Sequence, residues 1–422
     1  MVSSGSFSDI AHQKVISKYN FNSLDIAFIT ELAFGCIRYR KFLDLWIDHT
    51  SKFTHKKQPP KLRWLLHIGL YQLLKMNKVP SSAAISTTVE IAKESDLSGL
   101  AGTVNAILRN VVEKLNKKCL PFIPVNDISR ISYEHSLPEW IVKEIINWYG
   151  LSKAEDIAKA FNKRPSIDIR VNTLKTNSEL LLEEFKSSNL KVEPIEEIKN
   201  GIQLLTKPRN VKDLPGYNEG KWLIQDRSSQ WVASLLKPCE KDRILDACAA
   251  PGSKTTHIAQ ITNDKSEIWA LDRSEIRLKI LKSNLSRLKI KSVRAMKADA
   301  IDFFNQRPDL RNYFNKILVD APCSGMGTFA RNPDSKWNLN KTKIKELSEL
   351  QLDLLNSVLP LLKIDGSIVY STCSICPAEN NILIRKFLDK NRSLKLISEK
   401  QILPSYEQYG DGFYAAVIRY IN

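Results

Sequence analysis

Three segments in the second half of the chain carry side chains capable of chemistry. DAPCSGMGT (320–328) sets Cys323 just past one apolar run, and VYSTCSICPAEN (369–380) sets Cys373 at the end of another. A lone cysteine at the end of a strand is more often packing than a nucleophile. Two of them, each in a turn of small residues, point instead to a working thiol. The chemistry that calls for one is addition to a pyrimidine. Carbon 5 of cytosine is a poor nucleophile, and a thiolate adding at carbon 6 makes it enamine-like and able to take a methyl group. An acidic side chain hydrogen-bonded to the ring nitrogen would stabilise that adduct. Cys373 and Cys376 make the only C-x-x-C, and no second pair completes a four-ligand zinc site. A redox pair is the other reading of that spacing; the neighbouring residues fit a pyrimidine-attacking thiol better.

The third segment is RILDACAAPGSKTTHIA (243–259), which reads as a strand ending at Asp246, a turn of small residues and a helix from near Thr255. Ala249, Ala250 and Gly252 let a ligand approach the backbone, and the helix N-terminus favours an anionic group. The dinucleotide fingerprint G-x-G-x-x-G is absent, which counts against a dehydrogenase. Acidic residues recur at strand ends: Asp272 closes SEIWALD, Asp299 follows SVRAMKA and Asp320 closes KILVD. One such residue is usually a cap or turn. Three on one edge predict a nucleoside ligand, the carboxylate after the second strand accepting from ribose hydroxyls and that after the third from an adenine amino group.

The elements that must position these groups follow from periodicity. Residues 8–118 place apolar side chains at three- and four-residue spacing, predicting a bundle of helices. Pro59 and Pro60 open one of them, and the serines of SSAAISTTVEIAKES are expected to cap another. LPFIPVNDIS (120–129) reads as a linker, LPEWIVKEIINWYG as a helix that Gly150 can end, and PSIDIRVN (165–172) as a strand. From about Trp222, short apolar strands alternate with helices (DRILDAC, SEIWALD, SVRAMKAD, FNKILVDAP, GSIVYSTC), and AAVIRYIN closes the chain. That rhythm predicts a doubly wound α/β sheet with ligands beyond the carboxyl ends of its strands. No fixed-period repeat or low-complexity tract interrupts it.

The 422 residues are too many for one ordinary core, and a 43% hydrophobic composition excludes a disordered chain. No apolar run reaches the roughly 18 residues that a membrane-spanning helix needs, and the N-terminus lacks a secretory pattern, so a cytoplasmic protein is expected. Seven cysteines in a chain this long do not make a disulfide framework. Lys and Arg outnumber Asp and Glu 63 to 46, a net charge of +17. Residues 1–120 hold 17 basic and 9 acidic side chains, nearly half of that excess. Such a surface draws polyanions by long-range attraction and counterion release.

DACAAPGSKT, DAPCSG, STCS and the terminal DGF together resemble the Nop/Sun family of RNA cytosine-5 methyltransferases. The helical front section resembles the antitermination-factor (NusB-like) RNA-binding domain of the bacterial Sun-type members. FNKRPSIDIRVNTLK and IQDRSSQWVASLL resemble the family's intermediate region, so the likeness covers nearly the whole chain. It implies a multidomain protein: an all-α NusB-like N-terminal domain (1–128), a small α/β connector (129–220) and a Rossmann-like class I methyltransferase α/β domain (221–422).

It further implies S-adenosyl-L-methionine as cofactor, with Cys248, Ala249, Ala250, Pro251, Gly252, Ser253 and Lys254 around its methionine and ribose, Asp272 on the ribose and Asp299 on the adenine. Asp320 would face both the cofactor and the target base. Cys373 would be the nucleophile and Cys323 would assist product release. In DNA cytosine-5 methyltransferases the Pro-Cys cysteine attacks, which makes Cys323 the alternative nucleophile; the STC segment favours Cys373. The implied substrate is small-subunit (16S) ribosomal RNA, with no metal, no membrane and no obligate protein partner. A transfer RNA or other RNA substrate, or a non-catalytic antitermination scaffold, are the competing readings.

The sequence departs from the family pattern at Ser253, where a second glycine is usual, and at Arg331-Asn332-Pro333-Asp334, where R-H-P-D is common. Cys376 and His257 read as packing or surface residues, and Trp46, Trp64 and Tyr71 as core. Arg170 and Asn172 are expected either on an exposed strand face or against RNA backbone.

Overall fold

Periodic apolar positions in the front half fold as expected. The structure, a computed structural model, describes residues 8–206, 208 and 210–421, which divide into two compact units. The first comprises residues up to Lys163 together with Phe329–Asn338. Helix Pro60–Lys75 starts with proline in its first turn and buries Leu62, Leu65, Leu66 and Leu70, one face at three- and four-residue spacing. That face meets Leu43, Trp46 and Ile47 of helix Arg40–Thr50, and Val104, Leu108 and Val111 of helix Ala101–Asn116. Tyr71 is buried there, while half-buried Trp64 lies under the Arg40 guanidinium, 5.5 Å from its ring centroid. The expected serine cap is not formed: helix Ser81–Lys93 has Pro80 at its cap position and no side-chain cap bond. The serines instead occupy its first turn.

Helices Asp127–Glu134, Glu139–Tyr149 and Leu151–Ala160 belong to this same unit, and Gly150 ends the second of them at φ 80°. The ten residues 329–338 come from far along the chain. Helix Ser23–Arg38 leaves carbonyls without intrahelical partners at its C-terminal end. The Trp337 indole N–H donates to Ile37 O at 2.8 Å, and Lys336 Nζ donates to Arg38 O at 2.9 Å. Arg38 in turn donates to Ala330 O at 2.7 Å. Asp334 accepts from both the backbone N–H and the hydroxyl of Ser8, the first residue of helix Ser8–Ile16. Phe329 packs edge-on against Phe161. Lys336 is fully buried, and burial together with the Arg38 charge drives its ammonium well below the usual lysine range.

The second unit contains two sheets. The smaller is antiparallel in the order β2-β3-β1-β4, with β1 Ile167–Val171, β2 Val192–Pro194, β3 Gly201–Leu204 and β4 Trp222–Ile224. Arg170 and Asn172 correct the expectation of an exposed strand: they are 1% and 0% exposed. Arg170 donates to Gln260 Oε1 at 3.0 Å, Thr256 Oγ1 at 2.9 Å, Ser253 O at 2.5 Å and Gln225 Oε1. Burial without a carboxylate partner lowers its guanidinium to about 9. Asn172 donates to Gly220 O at 2.8 Å. Both faces of β1 are covered, so these polar groups are spent inside the protein and are not free to meet RNA.

The larger sheet has the order β10-β11-β9-β8-β5-β6-β7, with β5 Arg243–Asp246, β6 Glu267–Asp272, β7 Val293–Lys297, β8 Phe314–Asp320, β9 Leu362–Thr372, β10 Leu394–Ile402 and β11 Phe413–Tyr420. Strands β5 to β9 run parallel, and β11 pairs antiparallel with β9 and β10. The chain winds outward from β5 through β6 to β7, then returns to β8 on the other side of β5. That reversal is the switch point at which doubly wound sheets open a crevice. Asp246 at the end of β5 is 1% exposed and accepts from Thr255 Oγ1 at 2.7 Å. Burial outweighs that bond and raises its carboxyl to about 7, with the Asp320 charge acting in the same direction.

Two measurements test this architecture. Trp337→Phe leaves Ile37 O without its donor and is expected to destabilise the protein by about 1–2 kcal/mol in urea denaturation. For Asp246, the carboxyl ionises at lower pH in the unfolded chain than in the fold, so its burial is tolerated below about pH 4 and progressively penalised up to about pH 7. Asp246→Asn should therefore gain stability relative to wild type as pH rises through that window, by up to roughly 4 kcal/mol. A difference that stays constant with pH would refute the buried-acid account.

Candidate active site

The carboxyl ends of the parallel strands border a cleft of about 270 Å³. Ala247 and Cys248 reach it from the end of β5, Asp272 from β6, Asp299 from just past β7, Asp320, Pro322 and Cys323 from β8, and Cys373 from β9. Leu350 and Leu354 of helix Lys341–Val358 supply an apolar wall. All three strand-end aspartates and both cysteines singled out from the sequence thus line one opening. Among the described residues no cluster of side chains could hold a metal ion, and no helix is long and apolar enough to cross a membrane.

The turn after β5 is built by continuing the sheet. Ala247 N donates to Leu318 O at 2.9 Å and Ala249 N to Leu271 O at 2.8 Å, so the turn is pinned to both neighbouring strands. Ala250 N donates to the Asp272 carboxylate at 3.3 Å, and Asn284 and Arg277 donate to the carbonyls of Pro251 and Ala250. Cys248 lines the cleft; Ala249 to Lys254 are not among its lining residues.

Gly252 has φ 105°, and a Cβ there would lie 2.3 Å from Leu281 Cδ1. The glycine is thus required by the backbone and by the helix packed against it, Glu275–Leu288. Ser253 is the first residue of helix Ser253–Ile261 and has no positive φ, which explains why a second glycine is dispensable. Lys254 Nζ pairs with Asp320 Oδ2 at 2.7 Å and sits over the Phe413 ring. Ser371 Oγ donates to the other oxygen of Asp320 at 2.8 Å, so that carboxylate is held from both sides.

Cys323 Sγ and Cys373 Sγ lie 3.4 Å apart. The Cys323 thiol is raised well above the ordinary range by its hydrogen bond to Cys373, by burial and by the charges of Cys373 and Glu379. The Cys248 thiol is raised as well, by burial and then by the carboxylates of Asp246, Asp320 and Asp272, which disfavours the thiolate form. Cys376 is 2% exposed and packs, as expected. Half-buried His257 has no place in the cleft. Gly327 N donates to Cys373 O at 3.0 Å and Gly327 O accepts from Gly412 N at 2.8 Å, which ties the DGF segment to both cysteine turns. A Cβ on Gly327 would strike Gly412 O at 2.1 Å.

Sequence reasoning did not single out Arg273, Arg277 or Glu379. The arginines belong to no motif. For Glu379 a signal existed: each cysteine is followed by a serine, and two hydroxyls in matching positions invite a shared acceptor.

Three family models match the chain in succession: the NusB family over residues 3–113, a ferredoxin-like domain of RsmF/B-like methyltransferases over 137–212, and the 16S rRNA methyltransferase RsmB/F over 233–419. The probable ribosomal RNA small subunit methyltransferase B of Synechocystis is 37% identical over 91% of this chain and 85% of its own length. The ribosomal RNA small subunit methyltransferase B of Proteus mirabilis is 36% identical over 94% of this chain and 91% of its own. Among solved structures, the crystal structure of PH0851 superposes with a TM-score of 0.79 at 27% identity, covering 93% of this chain and 90% of that one. With a helical front unit, a doubly wound sheet and a cleft at its switch point, this chain belongs to the RsmB/F family of methyltransferases.

Proposed function

We propose that this methyltransferase transfers a methyl group from S-adenosyl-L-methionine to carbon 5 of a cytosine in 16S ribosomal RNA, through a covalent bond between Cys373 and carbon 6. The observation that carries the reading is the pair of thiols 3.4 Å apart at a cleft ringed by three strand-end carboxylates. That set of acceptors suits a cationic nucleoside whose ribose hydroxyls and adenine amine donate. When bound, S-adenosyl-L-methionine supplies an electrophilic methyl group. Asp272 would accept from its ribose and Asp299 from its adenine, and of the turn Cys248–Lys254 it is Cys248 that would face the cofactor, the rest holding that residue in place.

The Cys373 sulfur gives an electron pair to carbon 6, and the former double bond delivers its pair from carbon 5 to the methyl carbon. Asp320, oriented by Lys254 and Ser371, would accept from the amino group beside the ring nitrogen. Transfer of the carbon 5 proton to a solvent base then returns its electron pair to the carbon 5–carbon 6 bond and expels the Cys373 sulfur as a thiolate. Cys323, whose thiol keeps its proton, is near enough to protonate the departing sulfur. The base must leave its stack to reach both groups. The 16S substrate rests on the names of the relatives and on the basic front section, and it implies work in the cytoplasm. A transfer RNA substrate is the nearest alternative, and a non-catalytic scaffold would have no use for the paired thiols.

With tritiated S-adenosyl-L-methionine and deproteinised small-subunit RNA, wild type should yield 5-methylcytosine, and Cys373→Ala should lose at least a thousandfold in rate, on the order of removing a covalent nucleophile. Cys323→Ala should accumulate a covalent protein–RNA adduct on denaturing gels. Activity surviving in Cys373→Ala, with no adduct from Cys323→Ala, would exchange the two roles. RNA affinity should also fall steeply between about 50 and 200 mM salt, by tenfold or more, as expected for binding through phosphates; a flat response would contradict that part.

A further inference from the structure

Between the two cysteine turns lies a carboxylate to which the chemistry above gives no part. Glu379 is 0% exposed and sits in the short turn Pro377–Glu379 after β9. Its Oε1 accepts from Ser324 N at 2.7 Å and from Gln351 Nε2 at 3.1 Å. Its Oε2 accepts from Ser324 Oγ at 2.5 Å and from Ser374 Oγ at 2.6 Å. Ser324 follows Cys323 and Ser374 follows Cys373, and the two hydroxyls are themselves 3.1 Å apart. Gln351 also donates to Pro322 O at 2.9 Å, holding the residue before Cys323. On the other side, Asn380 donates to Ser374 O at 2.9 Å and accepts from Thr372 Oγ1 at 2.6 Å. No cation pairs with Glu379 in any of these bonds. A buried carboxylate is tolerated only when donors surround it, and these donors belong to the cysteine turns or to Gln351, the helix residue that braces one.

We propose that Glu379 is a positioning residue that fixes the distance between the two thiols by clamping Ser324 and Ser374 to one carboxylate. It touches neither thiol and acts through the serines. This deepens the proposed function and rests on it for the meaning of the thiol pair, although the clamp itself can be tested without any substrate. The two oxygens differ usefully: Oε1 serves two N–H donors that cannot reverse, whereas Oε2 serves two hydroxyls that can. Glutamine can therefore keep the arrangement, its oxygen facing Ser324 N and Gln351 and its amide donating to hydroxyls turned to accept. Alanine cannot. The charge has a second consequence, since it is one of the influences that keep the Cys323 thiol protonated.

The test uses the full-length protein in four forms: wild type, Glu379→Gln, Glu379→Ala and the double variant Ser324→Ala/Ser374→Ala. Without RNA or cofactor, each is treated with diamide, which takes two hydrogens from a pair of thiols and leaves a disulfide, and the Cys323–Cys373 bond is mapped by mass spectrometry. Wild type and Glu379→Gln should form it at rates within about threefold of each other, and the other two at least about tenfold more slowly, because reaction requires the sulfurs to be held together. In methyl transfer, Glu379→Ala and the serine double variant should lose about 10–100-fold in kcat while KM for S-adenosyl-L-methionine stays within about twofold, since the clamp does not touch Asp272 or Asp299. If Glu379→Ala does not fold, the serine variant decides. Disulfide rates equal to wild type in the alanine variants, or a loss in Glu379→Gln as large as in Glu379→Ala, would overturn the proposal. Disulfide rates as expected with no methylation of any RNA by wild type would leave the clamp standing and sink the functional reading instead.

Discussion

Parallel strands all end on the same edge of their sheet, and that constraint governs everything chemical in this protein. Strands β5 to β9 each finish within one crevice, so residues as far apart in sequence as Cys248 and Cys373 become neighbours without any loop having to reach. A residue placed one position past a strand is thereby placed in the site. The reversal of winding between β5 and β8 then keeps the crevice open, because the connections on either side of it depart in opposite directions. What remains is to hold the short turns at the strand ends still, and hydrogen bonds to backbone carry most of that task. Ala247 and Ala249 extend the ladders, Gly327 bridges Cys373 and Gly412, and Arg170 grips the carbonyl of Ser253 from beneath.

Much of this was legible from residue order. Helical periodicity in 8–118 and the strand–helix alternation after Trp222 encode local structure, and a carboxylate at the end of an apolar run encodes its own place on the edge. The two cysteines were legible for the same reason. Strand β10 was not, because most of its residues are exposed and its apolar and polar positions do not alternate regularly, so only its pairing with β11 defines it. Arg170 and Asn172 misled for a related reason: alternation reveals that a segment is a strand, but not whether something covers its second face. Gly252 was found for an incomplete reason, since the backbone conformation and the Leu281 contact already demand it whatever the ligand does. The packing of 329–338 against helix Ser23–Arg38 is tertiary and leaves no local pattern.

Three buried charges share a manner of accommodation. Arg170, Lys336 and Glu379 are each at most 1% exposed, and the hydrogen bonds described above give none of them a partner of opposite sign. Carbonyls, amides and hydroxyls surround them instead. A charge satisfied by neutral dipoles has more directional requirements than an ion pair, because every dipole must be aimed. Such groups contribute little net stability and impose much geometry, which suits turns that must hold sulfur atoms and carboxylates in register.

The excursion of Phe329–Asn338 has an evolutionary corollary. The polypeptide passes between the two compact units three times, after Lys163, after Thr328 and after Asn338. Neither unit is therefore a bead that recombination could detach with a single cut. A lineage that lost the helical front section would inherit a catalytic unit with a ten-residue excursion stripped of its hosts, its indole and its buried ammonium suddenly facing water. Removing the front section would thus leave the excursion without its hosts, and a shortened descendant would have to redesign it.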